Sequence, residues 1–99
     1  MERALPDVDV TIGEARQALL EMVVTELDLG LTFLDVAATT TDGKHARKSI
    51  GNAIIALRTA DRFLSELSPD TRNLDAIKQR REILAMRLRE FGAEEPRSK

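Results

Sequence analysis

The chain has 99 residues, enough for one small domain, and its 42% apolar and 32% charged residues are the proportions of a folded chain rather than a disordered one. With three Phe and neither Trp nor Tyr, any core must be aliphatic; with no Cys, disulfides, thiolate metal sites and a cysteine nucleophile are excluded. The formal net charge of −2 hides an uneven spread, since residues 1–40 carry eight acids and two bases while 41–68 and 69–99 are each +2. That asymmetry points to internal charge complementarity before it points to nucleic acid.

The opening MERALPDVDV places charges where a signal peptide needs an apolar stretch, and no uncharged apolar run approaches the length of a membrane span. A cytoplasmic location is therefore expected. Residues 1–10 read as a flexible N-terminal arm, because the first clear helix start is Thr11-Ile12-Gly13-Glu14, a capping box in which the Thr hydroxyl and the Glu carboxylate satisfy free amides reciprocally. A first helix is expected over about residues 12–38. Thr39-Thr40-Thr41-Asp42-Gly43 interrupts it with residues that favour caps and turns. Asp42 or Thr41 then caps a second helix over about 43–67.

Ser68-Pro69-Asp70 marks a third start, with a capping Ser, a Pro whose missing N–H costs nothing in the first turn, and an acid at the positive end of the dipole. This helix is expected over about 69–91, closed by Gly92, with 93–99 as a disordered tail. In the second helix Ala46, Ile50, Ala53, Leu57, Ala60, Leu64 and Leu67 recur at steps of four and three; Leu74, Ile77, Leu84, Leu88 and Phe91 do so in the third. Short connections make neighbouring helices antiparallel. The expected fold is thus all-α, an antiparallel up-down-up three-helix bundle spanning 11–92. Folding the chain at its two turns sets residue i of the first helix level with about 84 − i on the second and about 54 + i on the third, at about 1.5 Å rise per residue.

Two residues of the first helix stand out in this register. Gly30 costs about 1 kcal/mol relative to alanine inside a helix; level with Ile54 and Ala56 and close to Ala53, it either permits close helix approach or sits tolerated on a flank. Glu26 falls level with Arg58 and Arg80, while Asp61 and Arg81 break the apolar seams nearby. An isolated buried charge costs several kcal/mol, so Glu26, Arg58, Asp61, Arg80 and Arg81 are expected to form a structural band of ion pairs that fixes helix register. Acid-base catalysis by this band is disfavoured, because each acid has an arginine to hold it ionised. No catalytic, cofactor or metal residue is assigned; His45, the single histidine, opens the second helix with no spacing suited to zinc or di-iron.

The apolar residues of the first helix cover more than half of its wheel. Leu20, Val23, Val24, Leu27, Leu31 and Leu34 suffice for two neighbouring helices, which leaves Met22, Leu29, Phe33 and Val36 as a second stripe. This stripe is either part of a broad core or a contact surface for another helix, from a second copy of the chain or from a different protein. The basic residues Arg72, Lys78, Arg80, Arg81, Arg87 and Arg89 raise the alternative of a regulatory nucleic-acid-associated protein, but acids intersperse them and no aromatic stacking set accompanies them.

ELDLGLTFLDVA followed by ARKSIGNAIIALRTADRFLSEL, residues 26–67, resembles small uncharacterised bacterial all-helical proteins in which a Glu-x-x-x-Gly-x-x-Phe helix leads into an Ala-Arg-rich helix. That resemblance implies no activity. The expected architecture also looks like that of microtubule-interacting-and-trafficking domains, three-helix modules that bind partner helices in their grooves, a likeness of fold alone. The reading is a non-enzymatic helical interaction module, self-association through the stripe being its simplest form.

Overall fold

The structure, a computed structural model, describes residues 7–92, with side chains from 13 onward. It comprises three helices, α1 (Asp7–Thr39), α2 (Gly43–Leu64) and α3 (Leu74–Glu90), and among the described residues no strand. The protein is all-α. None of these helices is long and apolar enough to cross a membrane.

α1 starts earlier than the capping box predicts. It begins at Asp7, directly after Pro6 in the sequence. Thr11-Ile12-Gly13-Glu14 therefore lies inside the helix. Residues 7–10 of the expected arm are helical, and residues 1–6 and 93–99 lie outside the described residues.

The first turn follows the sequence closely. Thr39 Oγ1 donates back to the Asp35 and Val36 carbonyls at 3.1 and 3.3 Å, and the Asp42 amide donates to Thr40 Oγ1 at 3.2 Å. Asp42 then caps α2, accepting from the amides of Lys44 and His45 at 3.0 and 3.4 Å. The second turn departs from expectation, because α2 stops at Leu64 and α3 starts only at Leu74. Ser68-Pro69-Asp70 does initiate a turn, with the Thr71 amide donating to the Ser68 carbonyl at 3.0 Å and the Thr71 hydroxyl at 2.7 Å. The turn does not propagate into α3. Asn73 takes a left-handed conformation with φ 64, which no continuous right-handed helix accommodates and which Asn tolerates better than most residues. At the far end Gly92, with φ 82, closes α3 as its position predicts.

The three helices share one aliphatic core. Val23, Leu27 and Leu34 of α1, Ala53, Leu57 and Ala60 of α2, and Ile77, Leu84, Ala85 and Leu88 of α3 are buried together. Each fully buried Leu contributes about 1.5–3 kcal/mol relative to exposure. α1 and α2 are far more extensively paired with each other than either is with α3. Their seam is lined by small groups: Gly30 and Ala37 on α1, Ser49, Ala53, Ala56 and Ala60 on α2, all buried.

Among the described glycines, Gly30 has the closest surroundings. A Cβ placed there would lie 3.5 Å from the Ala56 Cβ, an ordinary contact, but 2.6 and 3.1 Å from the two δ-methyls of Leu84. The glycine thus admits a close approach, and the group that uses most of the room is a leucine of α3. At 33 residues α1 is longer than α2, at 22, and α3, at 17, and its residues 13–18 are exposed throughout.

Candidate functional site

The charged residues singled out in the sequence assemble in a different combination from the expected band. Arg81 forms a bidentate pair with Asp61, Nε to Oδ1 and Nη2 to Oδ2 both at 2.9 Å, and the pair is partly buried, with side-chain exposures of 18% and 35%. Arg81 Nη1 also reaches the Glu82 carboxylate at 3.0 Å. Arg80 pairs with Asp28 at 2.8 Å rather than with Glu26, and Arg87 pairs with Asp35 at 3.0 Å. Among the described residues neither Glu26 nor Arg58 has an ion pair or hydrogen bond through its side chain.

Wheel geometry explains the exchange. Asp28 lies about 200° round α1 from Glu26 at 100° per residue, so the two carboxylates serve opposite flanks. The Asp28 and Asp35 flank meets α3. The Glu26 flank lies beside α2, where Arg58 would have had to meet it. Arg58 instead falls about 100° from Leu57 on the Asp61 flank of α2, the flank that faces α3.

The stripe of Met22, Leu29, Phe33 and Val36 divides. Met22 and Leu29 are 42% and 41% exposed. Phe33 and Val36 are half-buried, and Phe33 packs against the core. Sequence reasoning did not single out three other exposed large apolar residues, Ile55 of α2, at 59%, and Ile83 and Met86 of α3, each at 50%. The signal for Ile55 was present in the wheel, since at 100° per residue it lies about 160° from both Ala53 and Leu57 of the apolar seam. Ile54 packs against the core and Ile55 faces outward. By the same wheel Asn52 and Thr59 flank Ile55, and both are half-buried. The Thr59 hydroxyl is turned back on its own helix, donating to the Ile55 carbonyl at 2.9 Å.

Among the described residues no three His, Cys, Asp or Glu side chains gather as a metal site. His45 is exposed at the start of α2. A cleft of about 240 Å³ opens between α1 and the start of α3, lined by Leu20, Val24, Ala76 and Ile77 with Arg72 and Arg80, and larger clefts of about 450 and 630 Å³ lie on either side of the α2–α3 turn. Asp70 is held below the usual carboxylate range chiefly by the Ser68 hydroxyl, with help from a backbone hydrogen bond. It belongs to the α2–α3 turn, where it serves local structure.

The basic residues of α3 are largely engaged. Arg80, Arg81 and Arg87 each hold a carboxylate of the chain, Asp28, Asp61 and Asp35 in turn. Comparison with family models, with curated proteins and with solved structures finds no match to this chain.

Proposed function

We propose that this chain is a non-enzymatic helical interaction module and that its contact surface is the outer face of the α1–α2 pair, with Met22, Leu29 and Ile55 as its apolar core. The observation that carries the reading is the exposure of these three side chains on two closely paired helices. Exposed apolar residues scattered singly need no explanation, but a set continued from one helix to its neighbour defines a surface on which a further helix can lie.

The reading includes an up-down-up course of the three helices. Its support is the ion-pair spacing: Asp28 and Asp35 are seven residues apart on α1, and their partners Arg80 and Arg87 are seven apart on α3 in the same direction, as parallel neighbours require. The short turn between α1 and α2 fits an antiparallel pair. Kinship with small bacterial all-helical proteins belongs to the same proposal and rests on the pattern of residues 26–67.

The test is partner capture from a cell extract with the 99-residue chain and with a Leu29→Glu/Ile55→Glu variant as baits, beside sedimentation of both. Retention of a protein, or of a second copy, by the parent alone supports the surface. Equal retention by the variant overturns it, as does a loss of more than about 2 kcal/mol of stability in the variant, the range of a core lesion rather than a surface change.

A further inference from the structure

The charges of the first two helices are segregated. α1 carries seven carboxylates and one base, and α2 carries five Lys and Arg and a single carboxylate, Asp61, which Arg81 holds. Yet among the described residues no ion pair joins these two closely paired helices. The reason is one of side. Glu14, Glu21, Asp28 and Asp35 follow at steps of seven along the α1 flank that meets α3, whereas the bases of α2 point away from the bundle. At 100° per residue Lys44, Arg47, Lys48, Arg58 and Arg62 share an arc of about 100°, roughly opposite the buried Ala53, Leu57 and Ala60. All five are exposed, and none has a carboxylate partner among the described residues.

We propose that this outer face of α2 binds the phosphate backbones of double-stranded nucleic acid. The proposal is separate from the helix-binding surface: Met22 and Leu29 take no part in it, and Ile55 alone is common to both. Five cations on one face, none of them neutralised by the fold, match a partner with closely spaced negative charge, and a duplex offers one charge about every 1.7 Å of its axis. The bases stand in two groups, Lys44, Arg47 and Lys48 at one end and Arg58 and Arg62 at the other. From Lys48 to Arg58 the gap is about 15 Å at about 1.5 Å per residue. Across it the arc and its edge carry only Gly51, Asn52, Ile55 and Thr59, all neutral. A major groove about 12 Å wide fits that gap, with the neutral residues over the groove and one group of bases on the backbone at each side.

Other polyanions fit this face less well. A single strand is held by stacking its bases on aromatic side chains, and Phe33, Phe63 and Phe91, the only aromatic residues of the chain, are all half-buried. A helix lying in a lipid surface turns its apolar face to the acyl chains, and the apolar face of α2 is buried in the bundle. A second copy would bring the acidic flank of its α1, where Arg80 and Arg87 already hold Asp28 and Asp35, leaving Glu14 and Glu21 to meet five bases.

The experiment is fluorescence anisotropy of a labelled duplex of mixed sequence, about 20 base pairs long, titrated with the 99-residue chain over a range of salt concentrations. Binding is expected to weaken with salt at a slope of log K against log salt near about −4.5, about −0.9 for each of five phosphates. Lys48→Gln/Arg62→Gln should weaken binding at least tenfold at low salt and reduce the slope to about −2.7. Arg72→Gln/Lys78→Gln, which removes the same charge outside the arc, should leave the slope unchanged. Unchanged thermal melting of both variants establishes that folding is not the cause. No binding at about 100 µM protein in low salt, or equal losses in the two variants, overturns the proposal. A single strand of the same sequence bound more tightly than the duplex overturns it too. Vesicles of anionic lipid, or a poly-glutamate chain, bound more tightly than the duplex would assign the face to a membrane or to an acidic protein, and a chain that self-associates at low salt and is made monomeric by Lys48→Gln/Arg62→Gln would assign it to a second copy; each of these outcomes overturns the proposal.

Discussion

The seam between α1 and α2 and the seams that hold α3 are built on opposite plans. Where α1 meets α2, the buried residues are small, with Gly30, Ala53, Ala56 and Ala60 letting the helices lie close along their shared length. Where α3 meets the pair, large side chains reach inward from Ile77, Leu84 and Leu88, and arginines on either flank hold Asp28, Asp35 and Asp61. Helices that approach closely through small residues need no long side chains to bridge a gap at the rim. Among the described residues the ion pairs between helices accordingly all involve α3.

The largest test of this contrast is Leu84→Ala. Leu84 is fully buried and fills the space at Gly30, so its truncation should cost about 3–5 kcal/mol in denaturant unfolding. A loss under about 1 kcal/mol would mean that α3 is not anchored through this residue.

Gly30→Ala sets two effects against each other. Helix propensity favours alanine by about 1 kcal/mol, but a methyl 2.6 Å from a δ-carbon of Leu84 forces a shift in a core with little slack, an overpacking cost of about 1–3 kcal/mol. The net expectation is a loss of up to about 2 kcal/mol, partly relieved by adding Leu84→Val. Strict additivity of the two changes in a double-mutant cycle would break the link between Gly30 and α3.

The arginine flanks should differ from one another in turn. Arg81→Ala leaves the partly buried Asp61 without its bidentate donor and should cost about 1–3 kcal/mol with weak salt dependence. Arg80→Ala and Arg87→Ala remove partners from well-exposed carboxylates and should each cost less than about 1 kcal/mol, falling further in high salt. Equal losses at all three positions would erase the distinction between the two α3 seams. Glu26→Gln, which removes no ion pair found in the fold, should change stability by less than about 0.5 kcal/mol.

The smallest effect is expected at the turn that separates α2 from α3. Because the folded Asp70 titrates below the usual carboxylate range, its contribution is fully present above that range and is lost as pH falls through the lowered value. Ser68→Ala should move the Asp70 titration upward in a carboxyl NMR experiment, and the stability difference from the parent should vanish at the acid end. An unmoved titration would remove the Ser68 hydroxyl as the cause.

The residues of the chain by themselves determined that three helices form and which faces they bury. The apolar steps of three and four that mark Leu27, Leu57 and Leu84 are local consequences of helix geometry, and so is the Asp42 cap. The level of Gly30 with Ala56 and Leu84 also followed from chain length and rise per residue. Which flank of α1 receives α3 did not follow, because a linear count gives level but not side; Asp28 rather than Glu26 takes Arg80 for that reason. Nor did the delay of α3 to Leu74, since Ser-Pro-Asp is equally a helix start and an isolated turn until Asn73 adopts its left-handed conformation. The outward turn of Ile55 likewise belongs to the tertiary structure, because exposure is a property of what the neighbouring helices cover and only their packing fixes it.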